Sequence, residues 1–205
     1  MSDLQKSIAA TMRTLMRRYR EKAASEKKTP WQVLLFTALS ARSRDIQTEK
    51  VFQNLFRAYP TVRALSRAST RNVEAHLKTI GLYRAKAKNV VALARELVQK
   101  YRGRVPDDLD ALTSLPGVGR KTANCTLVYA FGKPAMCVDT HVHRIVNRLK
   151  WVNTKTPEQT ELALRKLVPK RYWLDINRVM VQCGREICRS GRCGICPLCV
   201  IIETQ

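Results

Sequence analysis

Leu115-Pro116-Gly117-Val118-Gly119-Arg120-Lys121-Thr122-Ala123 is the stretch that decides the fold. Two glycines two residues apart permit a tight turn with positive φ and let the backbone come close to a ligand. The flanks carry helical signals. Asp107-Asp108 open a short helix that ends near Ser114, and an apolar helix runs from about Arg120 to Ala130. The stretch is thus a hairpin between two helices. Backbone N–H groups at such a turn and helix start face outward as an anion site, and a DNA phosphate fits that description. A plain helical corner needs only one glycine. The two-glycine pattern therefore favours a DNA-contacting hairpin built from Gly117, Gly119 and Arg120.

The chain on either side of the hairpin is helical as well. Leu4, Ile8, Met12, Leu15, Met16 and Tyr19 recur at three- and four-residue steps. Residues 21–29 are polar and read as a linker, after which Pro30 opens an apolar helix through Leu39. Asp45 reads as the N-cap of the next helix. Further helices are expected at 62–67, 70–79, 85–101, 139–149, 157–167 and 172–184. No stretch alternates with period two over a useful length. The expected class is all-α, in two helical lobes.

Charge narrows the partner. The chain has 205 residues with 38 Lys+Arg against 16 Asp+Glu, a net +22. A surface this basic repels itself unless a polyanion is near, and nucleic acid is the usual one. No apolar run is long enough to cross a bilayer, and the N-terminus has no apolar leader core. A soluble protein of a reducing compartment is expected, monomeric and, in a prokaryote, cytoplasmic and nucleoid-associated.

Two residues near the hairpin carry candidate chemistry. Lys121 falls in the first turn of the helix after it, where the positive helix end and basic neighbours disfavour the ammonium. A neutral amine can attack carbon; a phosphate-binding lysine is the plainer possibility. Asp139, in Val138-Asp139-Thr140-His141-Val142-His143-Arg144, follows a short apolar stretch and caps a helix. It is either a cap alone or a carboxylate able to take a proton or steady a cationic sugar. His141 and His143, two apart on a helix, do not share a face and are assigned packing roles.

The C-terminus suggests a metal. Cys188, Cys193, Cys196 and Cys199 lie within twelve residues, with four, two and two residues between them. Four thiolates so close can wrap one centre, and the two short steps resemble iron–sulfur runs. Zinc takes the same ligands but usually from two separated pairs. Cys183, Cys125 and Cys137 are expected to stay unligated.

These motifs, in this order, resemble endonuclease III. The likeness rests on the hairpin with Lys121, the Val138-Asp139-Thr140-His141 segment and the terminal cysteines. It also includes Ile80-Gly81-Leu82-Tyr83 followed by Lys86-Ala87 and Asn89, and Leu39-Ser40-Ala41 running to Asp45. It extends from about residue 28 to Cys199. The resemblance implies a two-lobed helix-hairpin-helix glycosylase fold. Residues 25–133 would form a six-helix lobe, residues 1–24 and 134–205 an iron–sulfur cluster lobe, and DNA would lie in the cleft between them. It implies a [4Fe–4S] cluster on Cys188, Cys193, Cys196 and Cys199. It also implies Lys121 as nucleophile, Asp139 as the essential carboxylate across the cleft, and Leu82 as the apolar filler of the gap left by a flipped base.

The chain departs from the family pattern at three places. Arg42 stands where the family usually has a Gln that probes the opposite strand. The first and last spans of the cysteine run are shorter than usual. Thr37 stands where mismatch-specific relatives carry Glu, and thymine-mismatch relatives commonly have Tyr at the lysine position, so Lys121 points to the bifunctional branch. The expected function is removal of oxidised pyrimidines from duplex DNA, with strand cleavage at the abasic site through a lysine Schiff base. The rivals are a monofunctional mismatch glycosylase and a non-catalytic helix-hairpin-helix DNA-binding protein.

Overall fold

A computed structural model of the chain describes residues 2–19, 28–41 and 45–188. They are helical, with no strand among the described residues, in agreement with the expected all-α class. The chain divides into two compact units, Met1–Ser25 with Lys133–Gln205, and Glu26–Gly132.

The Glu26–Gly132 unit is built on α2 (Pro30–Ser40). Thr29 caps it, accepting from the Gln32 N–H, and Pro30 fills the first turn, where its missing N–H costs nothing. Trp31, Val33, Leu34, Leu35 and Leu39 are all buried. A helix apolar on every side belongs in the middle of a core, and each buried leucine contributes about 1.5–3 kcal/mol. The unit also holds α3 (Asp45–Ala58), α4 (Val62–Ser66), α5 (Thr70–Leu77), α6 (Tyr83–Tyr101), α7 (Leu109–Thr113) and α8 (Arg120–Phe131). α2 packs against α3, α6 and α8, while α6 packs against α4 and α5. The expected capping by Asp45 lies outside the described side chains.

The other unit holds α1 (Asp3–Arg18), α9 (Thr140–Arg148), α10 (Pro157–Leu167) and α11 (Ile176–Glu186). Ser2 and Gln5 form a reciprocal capping box at the start of α1. Its buried stripe, Ile8, Met12 and Leu15, joins Val142, Ile145 and Val146 of α9 and Val179, Met180 and Cys183 of α11 in one core. Cys183, expected to point away from any metal centre, is packed in that core. Arg178 of α11 reaches the Tyr19 carbonyl and pairs with Asp175 at 2.6 Å. α11 starts at Ile176, later than the expected 172. A 3₁₀ turn over Lys170–Tyr172 comes first, and the buried Trp173 indole N–H donates to the Val168 carbonyl at 2.9 Å, tying that turn down.

α9 and α11 meet without slack at Gly184. A Cβ built there would lie 2.3 Å from His141 Nδ1, too close for any side chain. Gly184→Ala is expected to destabilise the protein by about 1–3 kcal/mol, read as a lowered denaturant midpoint with an unchanged slope. An unchanged midpoint would mean that α9 can move away freely.

Candidate active site

The hairpin forms over residues 115–119, closed by the Val118 N–H donating to the Leu115 carbonyl at 3.1 Å. Its two glycines are there for different reasons. Gly117 has φ +73, and a Cβ there would lie 2.8 Å from Asn89 Cβ on α6. It serves both a left-handed turn and a close approach to the neighbouring helix. Gly119 does not have a positive φ. At φ −87, ψ 172 it is extended, and a Cβ there would meet nothing within 4 Å. Its missing side chain leaves open space in front of α8. No side chain caps that helix, so its first-turn N–H groups face out as the positive end of a 12-residue helix.

Arg120 and Lys121 are the first two residues of α8. Arg120 is exposed and Lys121 half-buried. From Thr122 to Val128 the helix is buried, so it is anchored in the core while its first turn reaches the surface. Leu82 belongs to the same unit. It is the N-cap of α6, in the left-handed conformation at φ 59, ψ 27, and 58% exposed. Arg42 lies outside the described residues.

Asp139 belongs to the other unit and is the N-cap of α9, half-buried. Both cap bonds, from the His141 and Val142 N–H groups at 2.9 Å each, go to Oδ1. The cap therefore fixes the carboxylate with one oxygen and does not use Oδ2. Both histidines lie within hydrogen-bond distance of neighbours in their own unit. His143 Nδ1 is 2.6 Å from Thr160 Oγ1, and His141 Nδ1 is 3.2 Å from an Arg144 guanidinium nitrogen.

Cys188 is buried just beyond α11. Arg144 donates to its carbonyl at 2.8 Å and Arg148 to its Sγ at 3.1 Å. Both arginines lie on α9, whose N-cap is Asp139. Sequence reasoning passed over them because arginines on a helix of a basic chain read as surface. The remaining expected ligands, Cys193, Cys196 and Cys199, lie outside the described residues, and among the described residues no three His, Cys, Asp or Glu side chains gather as a metal site. A second residue was passed over as well. Lys86 of α6 is buried, and its ammonium donates to the Leu39 carbonyl at 2.8 Å. Burial pushes its pKa down.

The profile of the HhH-GPD superfamily base excision DNA repair proteins matches residues 36–170, a span that includes Leu82, the hairpin, Lys121 and Asp139 and stops short of Cys188. Endonuclease III of Thermotoga maritima is 52% identical over 170 residues, 83% of this chain and 78% of that protein. Among solved structures, a non-covalent endonuclease III–DNA complex matches with TM-score 0.88 at 34% identity, over 98% of this chain and 95% of that one. A trapped endonuclease III–DNA covalent intermediate, an estranged-adenine complex, matches with TM-score 0.87 at 35% identity, over 97% and 94%. The chain belongs to the HhH-GPD superfamily of base excision DNA repair proteins and, within it, to the endonuclease III family.

The two hairpin glycines should separate on substitution. Gly117→Ala forces alanine into the left-handed region against Asn89 and is expected to cost about 1–3 kcal/mol of stability. Gly119→Ala should cost at most about 1 kcal/mol yet weaken duplex DNA binding in fluorescence anisotropy, because its methyl group would fill the space in front of the helix. Wild-type affinity for the Gly119 variant would remove the hairpin from the DNA contact.

Proposed function

We propose that this chain is a bifunctional DNA glycosylase and abasic-site lyase. It removes oxidised pyrimidines from duplex DNA and cuts the strand 3′ to the site by β-elimination. One observation carries the reading. A chain of the endonuclease III family has an amine, Lys121, in the first turn of the hairpin helix, and a carboxylate, Asp139, whose helix cap leaves Oδ2 unused.

The proposed sequence of events starts with electrostatics. The net charge of +22 draws the chain to duplex DNA. The open N-terminus of α8 takes a backbone phosphate. The damaged nucleotide leaves the stack, which is easiest where pairing is already weak, and Leu82 fills the gap. Arg42, outside the described residues, is assigned to the opposite strand. The Lys121 amine attacks the sugar C1′ as the glycosidic bond breaks; the base leaves with the bonding pair and one of the two protons of the attacking nitrogen, and the other passes to Asp139 and then to O4′ as the ring opens. Asp139 steadies the positive charge growing on the sugar and accepts a proton at Oδ2. The sugar ring opens to a Schiff base on Lys121. Loss of a C2′ proton then expels the 3′ phosphate by breaking the C3′–O3′ bond, and water releases Lys121 from the imine.

A [4Fe–4S] cluster is proposed on Cys188, Cys193, Cys196 and Cys199. The first of these residues suits the role. Cys188 is buried and its sulfur accepts an N–H from Arg148, and hydrogen bonds to ligand sulfur are a regular part of such sites. The cluster when bound would supply a cross-link that holds the segment after α11. No described helix is long and apolar enough to cross a membrane, and association with chromosomal DNA is proposed as the working location.

Borohydride is expected to trap a covalent protein–DNA adduct on an abasic-site duplex, and Lys121→Ala to abolish it. Asp139→Asn should keep DNA binding and lose turnover by about two orders of magnitude or more. Trapping at wild-type level in the Lys121 variant would remove that residue from the role. No cleavage by the wild type would leave a non-catalytic DNA-binding protein. For the metal, purified protein is expected to hold about four irons per chain; colourless protein with one tightly bound zinc would replace the cluster with a zinc site.

A further inference from the structure

Lys86 holds two things at once. It is 8% exposed. Its backbone N–H donates to the Leu82 carbonyl at 2.9 Å, closing the first turn of α6. Its ammonium donates to the Leu39 carbonyl at 2.8 Å, in the last turn of α2. Carbonyls there have no partner further along the helix. α2 also ends without a glycine, its C-cap being Ala41 at φ −56, ψ 122. Within that turn the Ser40 hydroxyl serves the Thr37 carbonyl at 2.9 Å, and Lys86 serves Leu39. A cation suits the negative end of the helix.

The residue so tied is unusual. Leu82 has the left-handed backbone that non-glycine residues avoid, no side-chain cap bond, and an exposed apolar side chain. Such a conformation persists only where the surroundings over-determine it. A buried ammonium is itself costly, and a methionine would fill the same space without that cost. Burial also pushes the Lys86 pKa down. Packing alone therefore does not account for a lysine here.

We infer that Lys86 is a positioning residue for damage recognition: by fastening the first turn of α6 to the end of α2, it holds Leu82 pre-set in its outward, left-handed conformation, ready to enter the gap left by an extruded base. This rests on the proposed gap-filling role of Leu82. Lys86 then matters when a base must be pulled from a paired stack, and matters little when the base is already gone.

The test uses the full-length protein and four forms: wild type, Lys86→Met, Leu82→Ala and the double variant. Methionine matches lysine in length and has no donor. Single-turnover excision is measured on a duplex with a paired oxidised pyrimidine, and strand cleavage on the same duplex with a preformed abasic site. Lys86→Met is expected to lose about tenfold in excision, the worth of one charge-assisted hydrogen bond, and to stay within about twofold on the abasic site. In the double variant it should add less than about twofold to the excision loss of Leu82→Ala, since residues acting through one contact are not additive. Equal losses on both substrates, or full additivity in the double variant, would overturn the inference. If Leu82→Ala itself lowers both substrates equally, the gap-filling role fails and takes the inference with it. If Leu82→Ala is selective and Lys86→Met is not, only the inference fails. Should Lys86→Met not fold, Lys86→Gln, which keeps an N–H donor, carries the same test: a smaller loss confined to excision supports the inference, and a uniform loss overturns it.

Discussion

Every α-helix starts with backbone N–H groups that have no partner in the turn before them, and the way each start is resolved here organises the protein. α1, α2, α4, α5, α7 and α10 are closed by Ser2, Thr29, Thr61, Ser69, Asp108 and Thr156, each accepting from its own first turn. α9 is closed by a carboxylate, which occupies only one of its two oxygens in doing so. α8 and α6 are left without a side-chain cap, at Gly119 and Leu82. α11 also lacks a side-chain cap bond, at Asp175, which pairs instead with Arg178. A helix start without an internal anion is a place for an external one. One physical demand thus yields a fixed internal carboxylate in one unit and a helix start without a side-chain cap in the other.

Rigidity follows from how those helix starts are backed. Arg120 and Lys121 at the start of α8 are exposed and half-buried, and Thr122 to Val128 behind them are core, so Lys121 projects from a stiff support. In the other unit, α9 carries Asp139 at its beginning and the two arginines that hold Cys188 further along. Gly184 lets α11 press against His141, in the first turn of the helix that the carboxylate caps. The catalytic candidate and the two arginines that bond the first cysteine of the terminal run therefore share one helix. Sites on helices are held more accurately than sites on loops, because the backbone ladder fixes the direction of each side chain.

The sequence showed most of the helix positions, for identifiable reasons. Pro30, Asp108, Asp139 and Pro157 mark helix starts by local chemistry, and the structure places caps or first turns there. The hairpin and the two candidate catalytic residues were legible because glycine spacing, an amine and a carboxylate are written in single residues. What could not be read was conformation decided by distant packing. Leu82 carries no local sign of a left-handed backbone, so α6 was expected to start at 85 and starts at Tyr83. Which of the two hairpin glycines takes the positive φ was not readable either: Gly117 does, and Gly119 is extended. Lys86 and Arg148 are basic residues in a chain full of them, and only a fold that puts a carbonyl or a sulfur beside them sets them apart.

The charge separates binding from discrimination. Even if every Asp and Glu paired with one Lys or Arg, 22 basic side chains would remain without an acidic partner. Such a surplus finds its counter-charge on a polyanion, and phosphate contacts of that kind are blind to sequence and to damage. A repair protein that relied on charge alone would hold intact DNA as firmly as damaged DNA. Discrimination must therefore come from groups that respond to a gap in the stack and not to the backbone. Leu82, exposed and left-handed, is such a group in the role proposed for it, since an apolar side chain gains contact there only where a base has left. On the reading proposed above, the basic surface sets how often the chain meets DNA, and a few uncharged or buried contacts near Leu82 set what it does once there.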